Sequence, residues 1–160
     1  YDTSGIVTND RGVTVWLKGN RVSRNQIMAI KEESVTEQKN SLAVCLDNIL
    51  RHAGITRNTE YDLAQGKTAT TILSENMTGV QVLDLSGCTL DAVLYYVNQD
   101  IPVLAILEDG EAVLVTGFNE FNVVIMEPAT GKLYKKGMND ATAWFAENGN
   151  HFITYMRIEN

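Results

Sequence analysis

Between Leu42 and Ala53 the apolar residues Leu42, Cys45, Leu46, Ile49, Leu50 and Ala53 recur at helical spacing on one face. That spacing predicts a helix with one buried stripe. Asn40 or Ser41 offers a side-chain oxygen to cap its first turn, and Gly54 suits the left-handed residue that ends it. Two short, polar-faced helices are expected over 60–65 and 69–75, with Gly66 as the stop between them. The run Gly79-Val80-Gln81-Val82-Leu83-Asp84-Leu85 reads as a strand. Thr89 then caps a helix whose buried stripe is Leu90, Val93, Leu94 and Val97.

Past that helix the hydrophobic period drops from that of a helix to that of a strand. Residues 101–107, 112–116 and 121–126 form three β-rich runs, separated by the turns Glu108-Asp109-Gly110 and Gly117-Phe118-Asn119-Glu120. Connections that short join antiparallel neighbours. A brief strand is expected at Leu133-Tyr134. A helix over 141–147, capped by Asn139 or Asp140 and closed by Gly149, follows it, and residues 152–158 supply a last strand. Helices leading into an antiparallel sheet define an α+β fold. Upstream, the alternation from Gly12 to Leu17 predicts a strand, and Ser23 three residues before Gln26 is a capping box that opens a short helix through Ile30. The polar stretch 31–39 marks a boundary. Residues 1–36 are therefore read as an appendage and 37–160 as the main domain.

Composition mainly excludes. The 160 residues are 44% hydrophobic, enough for one packed domain. Thirteen Lys and Arg against twenty Asp and Glu give a net charge of −7, which argues against nucleic acid and anionic lipid as partners. The longest apolar runs, such as Val123-Val124-Ile125-Met126, fall far short of the roughly 20 residues of a membrane helix. Two Cys and two His show no zinc-ligand spacing, and the phosphate-loop, dinucleotide and HExxH motifs are missing. No metal or cofactor is expected. The chain opens at Tyr1 rather than Met, as expected of a piece of a longer protein.

Several motifs recur in a meaningful order. Ser41 stands thirteen residues before Gly54 at the head of the apolar helix. Pro102-Val103 opens a strand. Gly110-Glu111-Ala112-Val113-Leu114-Val115-Thr116-Gly117 follows, and then a strand running from Val123 to Glu127-Pro128-Ala129-Thr130-Gly131. In this order and spacing, roughly from Gln38 to Arg157, the chain resembles the papain-like superfamily, in the branch of the bacteriocin-leader-processing cysteine peptidases. The resemblance implies N-terminal helices packed on a C-terminal antiparallel sheet. It also implies a nucleophilic Cys at the position of Ser41, a His at Glu111 and an orienting Asp at Glu127. All three are replaced here, and the oxyanion-hole Gln expected five or six residues before the nucleophile is missing, since Gln38 lies three before Ser41.

Chemistry makes the replacement consequential. A serine hydroxyl does not ionise without a base, and carboxylates, with an ordinary pKa of about 4.3, are weak bases at neutral pH. The expectation is a catalytically inactive peptidase-type domain. It would bind an extended peptide or another domain of a larger, exported or cell-surface bacterial protein. The alternative is a working peptidase using Cys45 with His151, or Ser41 with Glu111. A third reading is a structural spacer. Blander roles stand beside each residue: Ser41 as a helix cap, Glu111 as a solvated turn residue, Glu127 as a strand end whose carboxylate accepts turn hydrogen bonds, Cys45 and Cys88 as core residues, and His151 as an edge histidine. Cys45 and Cys88 are also the only pair that could form an intrachain disulfide.

Overall fold

The computed structural model describes residues 40–158. The expected strand at 12–17, the helix from Ser23 and the boundary at residue 36 lie outside them. In chain order the elements are α1 (Ser41–His52), α2 (Thr59–Ala64), α3 (Ala69–Asn76), β1 (Val80–Asp84), α4 (Leu90–Val97), β2 (Val103–Ile106), β3 (Ala112–Phe118), β4 (Asn122–Glu127), β5 (Lys132–Gly137), α5 (Met138–Glu147) and β6 (His151–Arg157). The six strands form one antiparallel sheet in the order β1-β6-β2-β3-β4-β5. The fold is α+β.

Helix α1 is the centre of the helical layer, packing on β3 and β2 and against α2 and α3. Its face is apolar because Leu46, Ile49 and Leu50 fall at helical spacing, and each is at most 1% exposed. Burying each contributes about 1.5–3 kcal/mol. The helix ends as the sequence predicts. Gly54 takes φ +88°, its N–H reaches the Arg51 carbonyl, and the Ile55 N–H reaches the Leu50 carbonyl. A side chain in that left-handed conformation would be strained. Helix α3 covers β1, and α4 lies over β2, β3 and β6 beside α5. Phe145 of α5 meets Phe152 of β6 edge-on, with ring centroids 5.3 Å apart.

The structure corrects local expectations where a distant or unforeseen partner intervenes. Strand β3 does not end at Thr116. A bulge between Val115 and Gly117 absorbs one residue, and Phe118 goes on to pair with Val123. The turn is tighter than expected because the Asn119 carboxamide accepts the N–H groups of both Phe121 and Asn122. Strand β5 spans Lys132–Gly137 instead of two residues, since β4 pairs with it along its whole length. Helix α5 starts at Met138 without a side-chain cap, so neither Asn139 nor Asp140 plays that part; the Met138 N–H goes instead to the Phe121 carbonyl. Helix α2 is not simply a polar surface helix either. The hydroxyl and N–H of Thr59 both donate to the buried Asp47 carboxylate, and Arg57 grips Asp62 through two nitrogens at 2.9 and 2.7 Å.

Candidate functional site

The head of α1 is built by two adjacent residues with different tasks. Asn40 is the cap: its side-chain oxygen accepts the N–H groups of Leu42 and Ala43. The expectation that Ser41 caps the helix is therefore corrected. Ser41 is the first helical residue, and its Oγ accepts the backbone N–H of Ala112 at 2.9 Å. That bond spans 71 residues and fastens α1 to the first residue of β3. No pattern local to Ser41 could predict it.

Glu111 immediately precedes Ala112, and the hairpin that carries it is closely held. The Leu107 N–H donates to the Glu111 carbonyl at 2.7 Å, and the Glu111 N–H donates to the Asp109 carboxylate at 2.9 Å. Gly110 sits at φ +88°, a conformation that glycine adopts without strain. Asn148, after α5, accepts the Glu108 N–H from outside the hairpin. Sequence reasoning missed Asn148, because nothing near it in the chain points to residue 108. The structure thus places Glu111 one residue from the contact of Ser41, exposed to solvent. Glu127 ends β4 one step beyond the Met126–Leu114 pair, and so beside Val113. Its side chain is exposed, opposite Lys132 on β5. The turn hydrogen bonds go to its backbone carbonyl, which accepts from Thr130 and Gly131, and not to its carboxylate as expected.

The two imidazoles lie elsewhere. His52 closes the opposite end of α1, where its Nε2 stands 3.1 Å from the Asp100 carbonyl and 3.7 Å from the Asp100 carboxylate. The neighbouring Asp100 raises its pKa above the ordinary histidine value, against an opposing contribution from burial. His151 pairs with Ile106 on β2, which pairs in turn with Ala112 on β3. Two strand spacings, about 10 Å, therefore separate His151 from the strand position that Ser41 contacts. Cys45 is fully buried one turn into α1, and burial pushes its thiol far up, disfavouring the thiolate. Cys45 and Cys88 are both free thiols. Among the described residues no group of three or more His, Cys, Asp or Glu is placed to hold a metal, and no helix is long and apolar enough to cross a membrane.

A central helix whose head abuts the start of a strand, within helices packed on a six-stranded antiparallel sheet, is an α+β arrangement. The chain is similar in structure to a Bacillus anthracis protein whose crystal structure is assigned to the C39-like peptidases. The TM-score is 0.67 at 12% sequence identity, covering 85% of this chain and 100% of that one. At that identity the likeness establishes the fold. No protein-family profile and no curated protein matches the sequence.

Proposed function

We propose that this is a peptidase-type domain that no longer cleaves peptides and serves a larger protein by binding an extended peptide or a neighbouring domain across the head of α1. The observation that carries the reading is the hydrogen bond from the Ala112 N–H to Ser41 Oγ. It supports the reading because Glu111, the other position that matters in the resemblance, directly precedes Ala112 in the chain. At the position where the resemblance implies an imidazole, the chain carries a carboxylate, Glu111. Removing the hydroxyl proton at neutral pH takes a base such as imidazole, held within hydrogen-bond reach and oriented in turn. His52 and His151 lie at other places in the fold. The alternative nucleophile, Cys45, lies in the core with its thiolate disfavoured.

The test is to incubate the purified chain with a degenerate peptide mixture from about pH 4 to about pH 9 and to analyse the products by mass spectrometry. No cleavage is expected at any pH, and no labelling of Ser41 by a fluorophosphonate. Cleavage that disappears in Ser41→Ala, or in Glu111→Gln, overturns the reading.

A further inference from the structure

Strand β5 is one of the two outer strands of the described sheet. It pairs with β4 on one side, and among the described residues no strand pairs with the other. Such an edge presents a row of backbone N–H and C=O groups that a further strand can use. Its sequence, Lys-Leu-Tyr-Lys-Lys-Gly, brings Lys132, Lys135 and Lys136 into six residues of a chain whose net charge is −7.

Alternation along β5 sorts its side chains. Lys132, Tyr134 and Lys136 fall on one face, with Leu133 and Lys135 on the other. Tyr134 is 37% exposed, and the Lys136 ammonium lies 4.7 Å from the centre of the Trp144 ring, which steadies it at the edge. A second copy of β5 would set lysines against lysines, which is unfavourable in directly opposed strand positions.

We propose that β5 is a docking edge for an extended, acidic segment of a partner chain, which adds to the sheet as a seventh strand. The facing pattern specifies the segment: acidic residues opposite Lys132 and Lys136, and an apolar residue between them opposite Tyr134. Backbone pairing supplies the affinity and the alternate side chains supply the choice of partner. This surface is separate from the head of α1, so the proposal stands whether or not a peptide binds there.

The probe is a fluorescein-labelled peptide of sequence Thr-Glu-Thr-Val-Thr-Glu-Thr, titrated with the intact 160-residue chain by fluorescence anisotropy at low salt. Saturable binding is expected, together with slowed amide exchange in β5. The double variant Lys132→Glu/Lys136→Glu should bind this peptide about tenfold more weakly and gain affinity for the version with Lys in place of Glu. Because Lys132 faces Glu127 and Lys136 lies over Trp144, the unfolding midpoint should fall, and a cooperative unfolding transition confirms that the variant is folded. A peptide N-methylated at alternate backbone nitrogens keeps the charges but cannot form the ladder, and it should not bind. No saturable binding overturns the proposal. So does equal binding of the N-methylated peptide, or indifference to charge reversal; the lysines would then only deter edge-to-edge aggregation.

Discussion

The two ends of α1 carry opposite chemistry. At the head, a capping carboxamide and a serine hydroxyl are both used as acceptors, one for the helix's own N–H groups and one for an N–H of β3. At the tail, the imidazole of His52 is packed against Asp100 with its side chain only 7% exposed. The helix dipole suits each arrangement, since its N-terminal end favours negative charge and its C-terminal end favours a cation. A thiolate–imidazolium pair would need both partners at the head. Here the imidazole is at the far end of the 12-residue helix, where it stabilises a helix terminus. The comparison teaches that having nucleophile-type and base-type residues on one helix means little until the end each occupies is known.

The largest expected effect comes from moving the imidazole to the other end. In Ser41→Cys/Glu111→His, the new thiol should react with iodoacetamide at pH 7 about 100-fold faster than in Ser41→Cys alone. Equal rates would show that residue 111 does not reach residue 41. Next comes Ser41→Ala, which leaves the Ala112 N–H without its acceptor. A loss of about 1–2 kcal/mol is expected in urea unfolding, and no loss would mean water replaces the hydroxyl at no cost. Asn40→Ala removes the cap and should cost about 1 kcal/mol, and Asn40→Asp should restore most of it.

The smallest effect belongs to the tail. His52 has a raised pKa in the folded state, so its stabilisation is fully present below the unfolded histidine value of about 6.5. It is lost as pH rises through the higher folded value. The stability gap between the wild type and Asp100→Asn should therefore narrow as pH climbs above about 6.5. A gap constant across that range would assign Asp100 only its backbone contact with the ring. Asp62 gives the opposite sign. Arg57 holds its carboxyl below the usual range, so the advantage of the wild type over Arg57→Gln should persist at neutral pH and fade below about pH 4.

Most of the architecture was legible because it is local. The α1 stripe and its Gly54 stop, the Thr89 cap of α4 and the alternating runs of β2 to β4 are written in neighbouring residues. What escaped depends on partners far along the chain. The Ser41–Ala112 bond spans 71 positions and the Glu108–Asn148 bond spans 40. The bulge at Thr116 is set by register with β4, and β5 is a strand along all six residues because β4 lies beside it. The buried Asp47 carboxylate finds its partner, Thr59, only when α2 folds back onto α1. At the head of α1, local pattern left the cap open between Asn40 and Ser41, and the structure uses Asn40 because Ser41 is drawn to the distant Ala112 N–H.

Strand β6 follows every other described element in the chain, yet it sits between β1 and β2 and, among the described residues, is the only strand paired with β1. During synthesis, then, the hairpins from β2 to β5 can zip together while β1 waits without a partner, and α3 has no finished sheet to cover. Until β6 is added, the described sheet lacks the strand that joins β1 to β2. A chain truncated before His151 is predicted to be a substrate for chaperones and proteases, whereas one extending past Arg157 can close the sheet.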